Sequence, residues 1–228
     1  MSSDRYQYRG VYRRNLPHIQ PRGATLFVTF RLAGSIPEAI WEQLKGENRK
    51  LNAEMLRAEA VSGVAFDPEK RADEWLKLRR RWFQKIEDSL HNHSKGPVWL
   101  KDNRVAEIVA EALRYRDGKV FRLDAYSIMP NHVHTVFAPL LTVDLADFAL
   151  SAIMQSLKGY TARKCNLVLQ RQGAFWQHES FDHAIRSSEE WERVVKYVLN
   201  NPVKAGLVER WQDWKWNYRR ISSNDKQS

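Results

Sequence analysis

From Ala24 to Leu32 apolar and polar residues alternate, with Leu26, Val28, Phe30 and Leu32 on one face and Thr25, Thr29 and Arg31 on the other. A period of two is that of a strand with one buried face. The pattern then turns helical. Ser35-Ile36-Pro37-Glu38 has the form of a helix start, with Ser35 as cap, Pro37 in the first turn and Glu38 three residues on. This helix is expected to run to about Val61 and to break at Gly63. Asp67-Pro68 opens another, in which Trp75, Leu78, Trp82, Phe83, Ile86 and Leu90 recur at helical spacing. The two read as a helical hairpin inserted after the first strand, over about residues 37–90, with Arg79, Arg80 and Arg81 on a basic face.

His91 to Pro97 reads as a polar connection, and Val105, Ile108, Val109, Ala112 and Leu113 mark a helix ending near Gly118. Two strands are expected at Val120–Ser127 and Asn131–Phe137, joined by a turn at Met129-Pro130. Leu145 to about Cys165 reads as a helix, and Gly173 to Ala184 as a loop or short strand. Ser187 and Glu190 form a capping box for a last helix, with Trp191, Val194, Val195 and Val198 as its buried stripe. Pro202 should end it and push Asn201 out of helical geometry. The order of elements predicts an α+β fold: an antiparallel sheet of ferredoxin-like pattern, with helices packed on one side of it. Residues 1–216 are expected to form a single domain carrying the helical insertion, and 217–228 a mobile tail.

Composition narrows the function. The formal net charge is +10, and nine Trp, eight Tyr and nine Phe accompany 37 Lys and Arg. Cations that track phosphates, with aromatic faces for exposed bases, suit a single-stranded nucleic acid. No apolar run approaches the ~20 residues that span a bilayer, and Met1 to Arg14 lacks the apolar core of a signal peptide. The expectation is a soluble, cytoplasmic, nucleoid-associated protein with no membrane partner. Cys165, the only cysteine, excludes an internal disulfide and any cysteine-built zinc site, and reads as a small buried residue.

The sharpest local feature is His132-Val133-His134 within a predicted strand. Residues i and i+2 of a strand share a face, so both imidazoles can point at one ion while Val133 and Phe137 enter the core. Two histidines are too few for a closed zinc site and suit an open one; a pair of surface histidines is the other reading. His91-Asn92-His93 has the same spacing but loop composition, and His18 and His178 also read as loop residues. Tyr197 and Asn201 lie four apart on the last helix and so share a face. A tyrosine oxygen can attack phosphorus and hold it as an ester. With eight tyrosines in the chain, chemistry alone does not single out Tyr197.

Four blocks in order carry a resemblance. They are Leu16-Pro17-His18-Ile19-Gln20-Pro21, Ala125 to His134, Gly173-Ala174-Phe175-Trp176-Gln177 through Phe181 to Arg186, and Tyr197 to Val208. Together they resemble the REP-associated tyrosine transposases, part of the single-tyrosine class whose histidine pair flanks one hydrophobic residue. The resemblance implies a ferredoxin-like core with His132 and His134 on its central sheet. It implies Tyr197 as nucleophile and Asn201 where the family's third metal ligand arises; other branches carry Gln there, and Asn is shorter. It implies Mg²⁺ or Mn²⁺ on His132, His134 and Asn201, and single-stranded DNA with a palindromic hairpin as partner. The expected activity is that of an endonuclease and strand transferase working through a 5′-phosphotyrosine and a free 3′-OH. Related transposases can act as homodimers with the tyrosine helix reaching across subunits.

Arg13, Arg14, Arg22, Lys158, Arg163, Lys164 and Lys204 are candidate phosphate contacts, and Trp176 is a candidate for stacking on a base. Two other functions stay open: a DNA-binding protein of the same fold that has lost its chemistry, and a metal-dependent nuclease that activates water and needs no tyrosine.

Overall fold

The computed structural model describes residues 11–13, 17–19, 21, 23–62, 68–92, 96–141 and 149–221. The chain divides into two compact units, Gly34–Gly96 and the remainder.

In the first unit, α1 spans Glu38–Ser62 and α2 spans Pro68–Asn92. The hairpin expected from the pattern is present. Leu78, Trp82, Ile86 and Leu90 are buried at helical spacing, and Trp82 meets Trp41 edge-on with ring centroids 6.4 Å apart. Lys85 pairs with Glu47 across the two helices. Ser35 does not cap α1: the amides of Ile40 and Trp41 donate to the Pro37 carbonyl, so the helix starts two residues later than a Ser35 cap requires. His91 closes the last turn of α2 instead of lying in a connection, and Arg80 and Arg81 are exposed.

The second unit holds β1 (Val11–Arg13), β2 (Pro17–Ile19), β3 (Leu26–Arg31), α3 (Asn103–Arg116), β4 (Phe121–Ile128), β5 (His132–Pro139), α4 (Leu150–Val168), β6 (Phe181–Ala184), α5 (Ser188–Lys204) and β7 (Asn217–Arg219). β1 and β2 pair with each other, which places His18 on a strand and not in a loop. The other five strands form an antiparallel sheet in the order β6-β3-β5-β4-β7. From β3 to β6 the elements run β-α-β-β-α-β, the ferredoxin-like arrangement. Asp102 starts α3 by accepting the Arg104 amide, and Gly118, at φ +74°, ends the segment in a conformation that favours glycine.

The pleat sorts side chains to two faces. Leu26, Val28, Phe30 and Leu32 join Val133, Phe137, Leu123 and Ile128 in one core against Val105, Val109 and Leu113 of α3 and Ile153 and Leu157 of α4. Phe27, Thr29 and Arg31, with His132, His134 and Val136, face the other way. α5 packs on β4 and β5, where its buried Val195, Val198 and Leu199 stand apart from that core. Helices therefore cover both faces, not one as expected. An amphipathic helix that follows the last core strand has only the uncovered face left for its stripe.

Other boundaries in this unit also differ from the sequence reading. The chain from Asn217 is not a mobile tail, at least to Ile221. β7 pairs with the edge of β4, Tyr218 stacks on Tyr126 with centroids 5.3 Å apart, and Arg220 reaches both Asp117 oxygens and the Leu123 carbonyl. An open β4 edge offers unpaired amides and carbonyls, and this segment satisfies them. The start of α4 is Leu150; residues 142–148, including Leu145, lie outside the described ones, as do 222–228.

Candidate active site

β5 places His132 and His134 on the α5 side of the sheet, both buried, with their Nε2 atoms 2.9 Å apart. Their Nδ1 atoms turn away from each other. His132 Nδ1 lies 2.7 Å from Asn131 Oδ1, and His134 Nδ1 lies 2.8 Å from Thr29 Oγ1. An amide oxygen can only accept, so the proton of a neutral His132 sits on Nδ1 and its Nε2 carries a lone pair. The threonine hydroxyl both donates and accepts. It can hold His134 with Nε2 protonated toward His132, or with Nε2 bare. With the hydroxyl accepting from His134 Nδ1, both Nε2 atoms are bare and two nitrogen lone pairs can serve one ion.

Aromatic packing brings the tyrosine to this pair. Phe27 stacks on His134 at 5.7 Å between centroids and meets Tyr197 edge-on at 6.0 Å. Tyr197 itself lies 5.6 Å from His134, at 67°. α5 delivers it. Ser187 accepts the Glu190 amide at the helix start, and the Glu190 carboxylate accepts the Arg186 amide at 2.7 Å and meets His183 Nε2 at 2.8 Å. The helix does not end at Pro202. It continues to Lys204, with the Ala205 amide on the Asn201 carbonyl at 2.9 Å, so Asn201 keeps helical geometry. Burial of Val198, Leu199 and Pro202 offsets the one bond the proline cannot make. Asn201 is buried one turn beyond Tyr197, on the same side of the helix.

The remaining candidates separate. Arg13 lies on β1, while Arg14 and Arg22 fall outside the described residues. Arg163 and Lys164 are exposed on α4, which covers the face opposite the histidines. Lys204 is exposed in the last turn of α5. Lys158 donates to the carbonyls of Gln177 and His178 and to Ser180 Oγ, so it ties the loop before β6 to α4, and a phosphate would compete with those bonds. Trp176 belongs to the core: it is 7% exposed, packs on Phe30 at 4.8 Å and donates from Nε1 to Thr161. Near it, a cavity of about 500 Å³ is lined by Met154, Gln155, Lys158, Trp176, Glu179 and Asp182, but by neither histidine of the pair nor Tyr197. Burial pushes the Cys165 thiol up to about 12, as suits an inert packed residue.

Thr29, Asn131 and Phe27 were not singled out from sequence. Their signal was present in the polar face of the first strand and in the residue before His132. Arg31 is another such residue: it is buried on the histidine face, where desolvation draws its pKa down to about 10 against the opposing charge of Glu179.

Fold and site together define an α+β protein of the class that sets a histidine pair on a sheet beneath a helical tyrosine. Residues 94–201, which hold the pair and the tyrosine, match the family described as "Transposase IS200 like". The "REP-associated tyrosine transposase" of Escherichia coli (strain K12) is 26% identical over 105 residues, which are 46% of this chain. That stretch spans 58% of the relative, a little over half its length. The solved "Structure of the REP associates tyrosine transposase bound to a REP hairpin" is 17% identical with a TM-score of 0.50, covering 90% of this chain and 80% of that one. This likeness shows the shared fold. Among the described residues no helix is long and apolar enough to cross a membrane.

Proposed function

We propose that the protein is a metal-dependent single-stranded DNA endonuclease and strand transferase of the transposase kind, acting beside palindromic hairpins through a Tyr197–DNA ester. The observation that carries this reading is the meeting of His132, His134 and Tyr197 on one face of the sheet, with the two Nε2 atoms 2.9 Å apart and the tyrosine ring 5.6 Å from His134. The hairpin is taken from a solved structure of similar fold, which is titled as bound to a REP hairpin.

The donor set fits a divalent cation. Adjacent ligands of an octahedral ion with bonds of ~2.0–2.1 Å lie about 3 Å apart, close to the spacing of the two Nε2 atoms. His132 and His134 would hold the ion, with the Asn201 amide oxygen as third ligand, and Mg²⁺ or Mn²⁺ is the ion proposed. When bound, it supplies positive charge to a non-bridging oxygen of the scissile phosphate.

The chain's own residues do the rest. The Tyr197 oxygen attacks phosphorus in line, the new O–P bond forms, and the bond to the 3′ oxygen breaks. The phenolic proton leaves, and the departing 3′ oxygen takes up a proton as a hydroxyl. A phenol with a solution pKa near ~10 requires this proton to be withdrawn as attack proceeds. The ester conserves the energy of the broken bond, so a 3′-OH from the same or another strand can reverse the step and join DNA without ATP. Asn131 and Thr29 fix the rings, and Phe27 fixes the tyrosine relative to them.

The test is an end-labelled single-stranded oligonucleotide carrying the palindrome that flanks the gene, incubated with wild type and Tyr197→Phe, in Mg²⁺ or EDTA. A covalent adduct with wild type and metal alone is the expected result. Cleavage that persists in Tyr197→Phe without an adduct replaces this reading with a water-activating nuclease. Binding without cleavage in any metal replaces it with a DNA-binding protein of the same fold.

A further inference from the structure

The register of β3 on β5 puts one more charged group beside the histidines. The Leu32 amide donates to the Asn131 carbonyl at 2.9 Å, which makes that position a hydrogen-bonded pair. The pairs that alternate with it, Arg31 with His132 and Thr29 with His134, are then of the non-hydrogen-bonded kind, in which facing side chains lie closest. In the second of these pairs the closeness is realised: Thr29 bonds His134. In the first, the same register sets Arg31 opposite His132, with their Cβ atoms on the face that carries Tyr197.

Arg31 is held firmly there. Its carbonyl accepts the Gln177 amide at 2.8 Å, and Glu179, from the loop that Lys158 grips on the α4 side, supplies the opposing charge. The residue is only 7% exposed and Glu179 only 4%. A guanidinium presents N–H donors in a planar fork that matches phosphate oxygens, and in a site sheltered from water such a contact is stronger than on the surface. In the register, Arg31 occupies the position opposite the histidine proposed to hold the metal.

We infer that Arg31 is a phosphate-binding residue of this site, gripping the scissile phosphate from the β3 side while the histidine pair faces it from β5. The inference rests on the reading of the site given above. It assigns Glu179 the role of a positioning residue that orients the guanidinium.

The test uses the full chain and a synthetic hairpin oligonucleotide whose cleaved phosphate has first been located with wild type in Mn²⁺. A wild type that cuts nothing overturns the reading of the site, and the role of Arg31 with it. Binding is then measured in EDTA on two DNAs, one natural and one with a neutral methylphosphonate at that phosphate. Wild type is expected to bind the neutral DNA about tenfold more weakly, the size of a lost charge-assisted hydrogen bond. In Arg31→Gln the two DNAs are expected to bind equally, whereas Glu179→Gln keeps most of the difference. Arg31→Lys, which retains a charge without the fork, should keep part of it and stands in if Arg31→Gln melts early. An unchanged tenfold penalty in Arg31→Gln, or no penalty in wild type, overturns the inference and leaves Arg31 as the partner of Glu179 alone.

Discussion

Asn131 accepts a hydrogen bond from the ring of its neighbour His132, at 2.7 Å between Oδ1 and Nδ1, and so decides which nitrogen of that ring faces His134. The contact is between adjacent residues, yet its effect is felt on the far side of the imidazole. Partners of this kind commonly shift metal affinity by about 10–100-fold when removed. Asn131→Ala is expected to weaken Mn²⁺ binding in that range, as read by titration calorimetry, and Asn131→Asp to restore most of it. Equal Mn²⁺ affinity in Asn131→Ala and wild type would show that the ring needs no such guide.

Tyr197 and His134 should separate under mutation. Tyr197→Phe leaves the ring contacts with Phe27 and His134 in place, so folding, Mn²⁺ affinity and hairpin binding are expected to stay within about twofold while the covalent adduct disappears. His134→Ala is expected to lose both metal binding and the adduct. Adduct formation by Tyr197→Phe, checked by mapping the linked peptide, would move the nucleophile to another tyrosine.

Glu190 anchors the start of the tyrosine helix. Burial raises its pKa, but the hydrogen bonds from His183 and the Arg186 amide outweigh burial and hold the carboxyl below its usual 4.5. A carboxyl depressed by folding binds fewer protons in the folded state. Its contribution is therefore present above the unfolded value and is lost as pH falls through the lower, folded one. Glu190→Gln should lower Tm at pH 7, and the gap from wild type should close on acidification below 4.5. A gap of constant size down to pH 3, followed by circular dichroism, would contradict this account.

Arg220 fastens the strand that closes the β4 edge. It reaches Asp117 through both carboxylate oxygens and the Leu123 carbonyl through Nε. Both partners of the ion pair are partly exposed, so the charge itself counts for little. The loss expected for Arg220→Ala is about 1–2 kcal/mol, from the hydrogen bonds. Urea unfolding would measure it, and a change below a few tenths would mean that β7 holds without this clamp.

Trp176 offers a check on base stacking. Trp176→Phe keeps the ring against Phe30 but removes the bond to Thr161. Stability is expected to fall by about 1 kcal/mol with hairpin affinity unchanged. A clear loss of affinity without a loss of stability would return the indole to the DNA surface.

Much of this was legible in the residues. The alternation from Leu26 to Leu32 told which side of β3 enters the core, and the i, i+2 spacing put both histidines on the opposite side of β5. Ser187 and Glu190 marked the start of the tyrosine helix. What the pattern could not carry were effects of packing between distant segments. Pro202 reads as a terminator because the local rule knows nothing of the burial that keeps Asn201 helical. Asn217–Arg219 read as a tail because three polar and aromatic residues gain a strand's geometry only from the β4 edge beside them. Lys158 and Trp176 looked available to DNA because nothing local reveals the carbonyls and the Thr161 hydroxyl they meet. Arg31 was visible on the polar face of its strand, but its neighbour His132 is known only from the register.

Thr29 and His134, 105 residues apart along the chain, touch only when β3 has found β5 across the whole inserted hairpin. The tyrosine comes from a third stretch, later again. A fragment that lacks β3, β5 or α5 therefore lacks one of the three stretches that meet at the proposed centre. For a protein proposed to sever its host's DNA, completeness of the fold acts as the safety catch.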